Sequence, residues 1–160
     1  MLHQAETTTV IKSIPWFFEL SPESIQLLST SALVQSAEKG EILFHEGDQH
    51  PYLYVMLEGK VRLDSFVPGH GDLPIFTAES LDIIGWSSLT PVVRQKTSTA
   101  IVITPAKLLK FNAYSLMECC QSDCELGFVI MRRLANVTAS RLLTHRLHLL
   151  EIISCQNKSA

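Results

Sequence analysis

The spacing of apolar and polar positions changes character twice along this chain, and each change predicts a change of structure. Near the start, Ile14-Pro15-Trp16-Phe17-Phe18 is an apolar turn that must pack against something, and Ser21-Pro22-Glu23 opens a helix. Ser21 can cap it, Pro22 costs nothing at a first helical position whose N–H would be unpaired, and Glu23 sits near the positive end of the helix dipole. The helix is predicted from about Pro22 to Ser31, with Ile25, Leu27 and Leu28 as its buried stripe. Together these segments predict a helical cap on a larger body.

From Leu33 to about Phe111 short apolar segments alternate with Gly, Pro, Asp and His clusters at intervals of roughly ten residues, which predicts an all-β sandwich or roll. Tyr52 to Leu57 is apolar throughout, as a strand covered on both faces would be, whereas Val61, Leu63, Ser65 and Val67 alternate with Arg62, Asp64 and Phe66. Glu58-Gly59 between them reads as a tight hairpin turn. Thr97–Ile103 and Ala106–Asn112 read as a second strand pair joined at Thr104-Pro105, since proline opens turns and is excluded from central strands.

Beyond Asn112 the pattern is helical, first over Ala113–Cys120 and then from Asp123 to about Ser154, with Gln156–Ala160 a frayed polar tail. The last helix has more than one apolar side. Leu126, Ile130, Leu134 and Val137 can pack on the β-body, while Leu142, Leu143, Leu147, Leu149, Leu150 and Ile152 need another partner. The simplest is the same helix of a second chain, so a homodimer is expected.

Composition narrows the classes without naming one. The 160 residues are 46% hydrophobic and 18% charged, which suits a single domain over 1–160, divided as cap and β-roll at about 14–112, helices at about 113–154 and tail at 155–160. Thirteen Lys and Arg against sixteen Asp and Glu give a formal charge of −3 and advertise no polyanion-binding surface. Mean hydropathy is +0.19, yet no apolar run reaches the roughly 18 to 20 residues of a membrane span, and Met1–Lys12 lacks the pattern of a secretory signal. A cytoplasmic location and no membrane contact are expected. Cys119, Cys120, Cys124 and Cys155 cluster late, unlike a disulfide framework, and read as reduced, small buried side chains at a helix–helix corner.

The order of helix, β-roll and two helices, mainly β with flanking helices, resembles the cyclic nucleotide-binding domain, the effector module of the catabolite-activator-protein superfamily. The resemblance covers about Ile14 to Ile153. It rests on Ile14-Pro15-Trp16-Phe17 with Leu20-Ser21, on Glu38-Lys39-Gly40-Glu41-Ile42-Leu43-Phe44 with His45-Glu46-Gly47-Asp48, and on Tyr54-Val55-Met56-Leu57-Glu58-Gly59-Lys60-Val61. It implies a double-stranded β-helix, a jelly-roll-like fold. The Gly-Trp-Ser-Ser-Leu form and Glu125–Ala135 resemble a bacterial subgroup of such domains.

In that family a phosphate-binding cassette joins two strands, and Ile84–Ala100 corresponds to it. The resemblance makes Gly85, Trp86, Ser87, Ser88, Arg94, Thr97 and Ser98 the candidate ligand residues, with amides near Trp86–Ser88 and the Arg94 guanidinium facing an anion. The implied ligand is cAMP, cGMP or another nucleotide-like anion, with no cofactor or metal. Trp86 stands where the family has its ribose-binding carboxylate, as a core anchor or a stacking surface for a base. Losing a charge-assisted bond worth roughly 1.5 to 3 kcal/mol lowers cyclic-nucleotide affinity by about one to two powers of ten.

Other chemistries are poorly supported. His45, Glu46, His50 and His70 lack the His-x-His spacing that sets two metal ligands on one strand face, and no Gly-x-Ser-x-Gly elbow occurs, so no enzyme is expected. His145 and His148 lie three apart, suited to pH sensing, to metal binding across a dimer, or to an ordinary surface. Arg132, Arg133, Arg141 and Arg146 read as a solvated face of the long helix. The chain ends at Ala160 without a helix-turn-helix domain, so direct DNA binding is not expected. The reading is a non-catalytic sensory domain signalling through its last helix to a sister chain or regulatory partner. The alternatives are a ligand-blind dimerisation module and a truncated transcription regulator.

Overall fold

A computed structural model describes the chain from Leu2 to Lys158 except Pro91 and Arg94, with side chains from Gln4 to Cys155. It opens with a helix the sequence did not signal, α1 (Leu2–Ser13), in which the Thr8 and Thr9 hydroxyls donate to the carbonyls of Gln4 and Ala5. Threonines bonding back in this way weaken helix propensity, and α1 is held by burial of Thr7 and Ile11 against its neighbours. Pro15–Phe17 forms one 3-10 turn with Phe17 buried. Helix α2 (Pro22–Ser29) starts as expected, the Ser21 hydroxyl accepting from the Ser24 amide, and stops short of Ser31.

The β-body comprises β1 (Ala32–Ala37), β2 (Ile42–Phe44), β3 (Tyr52–Val67), β4 (Gly71–Ala78), β5 (Ile83–Ile84) and β6 (Thr99–Asn112). Their order is β1-β6-β3-β4, with β2 also on β6 and β5 also on β3, all antiparallel. This is the mainly β roll with flanking helices expected from the pattern. In β3, Leu53, Tyr54, Val55 and Met56 are all buried. Leu53 and Val55 join Leu109, Phe111 and the helices in one core, and Tyr54 and Met56 join Phe44, Leu108 and Ile84 in the other.

Two expected turns are strand instead. β3 runs unbroken through Glu58-Gly59, and β6 runs unbroken through Thr104-Pro105, the two pairing from Tyr52↔Asn112 to Asp64↔Thr99. Glu58 faces Lys107 and Lys60 faces Thr104, so Gly59 alone opposes Pro105 and Ala106: a β-bulge that bends the pair. Gly59 has φ +81°, and a Cβ there would lie 2.3 Å from the Pro105 carbonyl oxygen. Pro105 is tolerated because it falls where β6 changes neighbours, β1 ending opposite Ala106 and β2 beginning opposite Ile101. Beyond the bulge Val61 and Leu63 are buried as the alternation implied, but Asp64 is buried too, held by two 2.7 Å bonds from Arg62.

Asn112 and Asp123 cap the two C-terminal helices. The Asn112 side chain accepts from the amides of Tyr114 and Ser115 to start α3 (Ala113–Ser122), and Asp123 Oδ1 accepts from those of Glu125 and Leu126 to start α4 (Cys124–Lys158). The Ser24 hydroxyl donates to Asp123 Oδ2, tying the α3–α4 corner to α2 and, with the capped amides, holding that carboxyl below its usual range. Cys119 is buried and Cys120 half-buried at this corner, the latter's thiol pushed up to about 11 by burial, but Cys124 and Cys155 are exposed on α4, contrary to expectation. The helix runs on to Lys158 where a frayed tail was expected, and Ser159 and Ala160 lie outside the described residues. No helix among the described residues is long and apolar enough to cross a membrane.

The bulge sets a test of the fold. Gly59→Ala combines a left-handed backbone with a backbone clash and is expected to lower unfolding free energy by about 3 kcal/mol. Pro105→Ala across from it removes only ring rigidity and should cost about 1 kcal/mol or less. Urea denaturation measures both.

Candidate functional site

Gly85 ends β5 in the left-handed region, φ +72°, because the chain turns there against Tyr52: a Cβ would sit 3.0 Å from the Tyr52 carbonyl oxygen and 3.2 Å from Lys96 Nζ. The turn that follows, Trp86–Leu89, is a single 3-10 turn, and the Ser88 amide donates to the Gly85 carbonyl at 3.2 Å. That amide is therefore used inside the turn. Ser87 is buried, and the Ser88 hydroxyl reaches the carbonyls of His50 and Tyr52 at 3.0 and 3.1 Å. Arg94, expected to supply the charge, lies outside the described residues.

The residue that organises this turn is Lys96, which is not among the candidate ligand residues. Its side chain is buried, and Nζ donates to the Tyr52 carbonyl at 2.8 Å, the Gly85 carbonyl at 3.1 Å and the Ser88 hydroxyl. An ammonium has three donors, and all three are placed. Nζ also lies 5.1 Å from the centre of the Phe44 ring. Its backbone is held equally firmly, the Lys96 amide donating to Asp48 and its carbonyl accepting from Gly47, both at 2.9 Å. Burial pulls the ammonium down to about 8, against the opposing charge of Asp48. The only sequence signal was a lysine amid small hydroxyl residues, which reads equally well as a solvated loop charge.

Beside Lys96 stands an aromatic group. His50 Nδ1 accepts from the Tyr52 amide at 3.2 Å, and its Nε2 faces the Tyr54 hydroxyl at 3.4 Å. Burial, then the nearby Lys96 charge, lowers the His50 pKa, and burial pushes the Tyr54 hydroxyl up to about 12. Lys96, His50 and Tyr54 thus gather beside the Gly85 turn. His45 and His70 are exposed elsewhere, and among the described residues no three His, Cys, Asp or Glu gather to hold a metal.

Trp86, Thr97 and Ser98 come together on the other side of the turn, where they line a cavity of about 500 Å³. Leu63, Ile75 and Phe76 form its sheet wall, and Thr138, Arg141, Leu142 and His145 close it from α4. Trp86 is only half-buried, packing against the helix-side core while lining this space. Ser98 is buried and Thr97 exposed.

Two arginines expected on a solvated helix face instead fasten α4 to the segment entering the turn. Arg133 donates to the Leu81 carbonyl at 3.2 Å and stacks 4.1 Å over Trp16; Arg141 donates to the Ile83 carbonyl and stacks 4.6 Å over Phe76. Leu81 is the one non-glycine among the described residues with positive φ, +70°. Arg132 pairs with Glu19 on the surface, as expected. From Leu142 to Cys155 the helix is exposed, Leu142 at 71% and Leu143, Leu147, Leu149, Leu150 and Ile152 each above half.

Residues 34–123 match the family described as the cyclic nucleotide-binding domain. No curated protein matches. Among solved structures, a cyclic nucleotide-binding domain from Methylobacillus flagellatus superposes with a TM-score of 0.77 at 21% identity, over 92% of this chain and 83% of its own. Thermus thermophilus catabolite activator protein gives 0.69 at 23% identity, over 88% and 63%. The regulatory domain of Toxoplasma gondii PKA with cAMP gives 0.68 at 13% identity, over 84% and 51%. These likenesses show the fold.

The buried lysine sets a pH test. The folded protein releases the Lys96 proton near pH 8, whereas an unfolded chain holds it to about 10.5. Between those values the unfolded state binds more protons, so Lys96 makes stability rise with pH. The Tm of the wild type minus that of Lys96→Met is expected to increase from pH 8 to pH 10; a difference flat across that range would contradict a buried ammonium.

Proposed function

Because this chain belongs to the cyclic nucleotide-binding domain family, we propose that it is a non-catalytic regulatory domain, cytoplasmic and homodimeric, that senses a small anionic ligand. Cyclic nucleotides and related phosphates are the first candidates, since the family is described by that ligand class and the Toxoplasma gondii relative carries cAMP. The observation that carries the reading is the cavity shared by Trp86, Thr97 and Ser98 of the cassette with Thr138, Arg141, Leu142 and His145 of α4. A ligand there touches both the cassette and the helix. Its differential affinity for two helix positions is the coupling energy available for signalling.

Arg133 and Arg141 supply the mechanical link. They hold α4 to the carbonyls of Leu81 and Ile83, two to four residues before Gly85. A shift of the cassette therefore pulls on the helix. The exposed leucines from Leu142 to Ile152 would carry that movement to a second copy or a regulatory partner.

The second reading, a ligand-blind dimerisation module, is favoured by Lys96, whose three donors already occupy the interior of the Gly85 turn. Calorimetry and thermal shift of the full chain against cAMP, cGMP, cyclic dinucleotides and phosphate separate the two. Saturation at about a hundred times Kd should add about 2.7 kcal/mol of stability, and no response to any small anion leaves the dimerisation reading. For the dimer, light scattering should give twice the chain mass, and Leu143→Glu with Leu147→Glu and Leu150→Glu should give the monomer mass with unchanged helicity.

A further inference from the structure

The cassette's interior and its cavity differ in what they offer a ligand. Lys96, the cation inside the turn, is spent on the carbonyls of Tyr52 and Gly85 and on Ser88, and no carboxylate lines the cavity among the described residues to accept a ribose hydroxyl. Among the described residues the cavity walls are Leu63, Ile75, Phe76, Trp86 and Leu142, and its one guanidinium is Arg141, on the helix side. Arg141 has a single bond, to the Ile83 carbonyl, among the described residues. A guanidinium carries five donors in a planar fork suited to a carboxylate. Burial lowers its pKa with Asp82 opposing, as for a cation short of counter-charge. Thr97, Ser98 and Thr138 add hydroxyls at the edge.

We propose that this cavity selects a flat aromatic carboxylate in preference to a cyclic nucleotide, its rings against Trp86 and its acid on Arg141, which Phe76 backs. The inference rests on the reading of the cavity as a ligand site and names the class of ligand it takes. About 500 Å³ holds a two-ring acid. The acid would share the guanidinium with the Ile83 carbonyl, so that binding acts directly on a bond fastening α4 to the cassette. The charge would then be read from the helix.

Calorimetry on the full chain with 2-naphthoate, the isosteric neutral 2-naphthamide and cAMP tests this. The naphthoate should bind about ten- to a hundredfold tighter than the amide, the range of one charge-assisted contact, and tighter than cAMP. Arg141→Gln should bring acid and amide together. Because that change also removes the bond to Ile83, Thr138→Phe provides a second variant: it fills the cavity, leaves Arg141 in place, and should abolish naphthoate binding while circular dichroism stays unchanged. Equal affinity for acid and amide would overturn the role of Arg141. Tighter binding of cAMP would overturn the ligand class while leaving the cavity as a sensor site, and silence from all three probes would overturn the inference together with the sensor reading it rests on.

Discussion

Between Tyr52 and Met56 the chain has no face left for water, and the rest of the molecule is arranged around that fact. Leu53 and Val55 require the helices on one side; Tyr54 and Met56 require a closed roll on the other. A strand buried on both faces must satisfy its backbone laterally, and β3 does so with β6 along nearly its whole length, joined at Tyr54 and Val55 by β5 on its other edge. The two cores are thus two faces of one ribbon. Burying either without the other would leave large apolar side chains of that ribbon exposed.

The candidate site inherits its position from this ribbon. Tyr52, just before the doubly covered stretch, presents its carbonyl to both Ser88 and Lys96, so the Gly85 turn is docked on β3. Closing the turn with an ammonium needs a chain of support: Asp48 and Gly47 hold the Lys96 backbone, Phe44 faces its charge, and His50 is pushed toward neutrality beside it. A cation buried with all its donors engaged is a structural element of the turn.

Much of the architecture was legible because it is written locally. Ser21-Pro22-Glu23 marks a helix start by capping chemistry, and the unbroken apolar run from Tyr52 to Leu57 marks a strand between two layers. The misread features depend on partners distant in sequence. Glu58-Gly59 and Thr104-Pro105 each carry local turn signals, and only their opposition across β3 and β6 makes them two sides of one bulge. Helix α1 escaped notice because threonines blur its periodicity and its burial comes from elements that fold later in the chain. Arg141 looked like a surface charge for the same reason: what buries it is the closing of strand and helix around it.

The spacing of the two helix anchors has a geometric consequence. Arg133 and Arg141 are separated by about 12 Å of helix at 1.5 Å per residue, whereas Leu81, at its positive-φ turn, and Ile83 are two residues apart and at most about 7 Å from each other. The two long side chains must lean toward each other to reach their carbonyls. Sliding α4 along its own axis would then relax the lean of one arginine while stretching the other, so that the pair resists translation in either direction. The two contacts therefore fix the register of α4 against the segment entering the Gly85 turn, and the helix beyond Leu142 extends past the last of them.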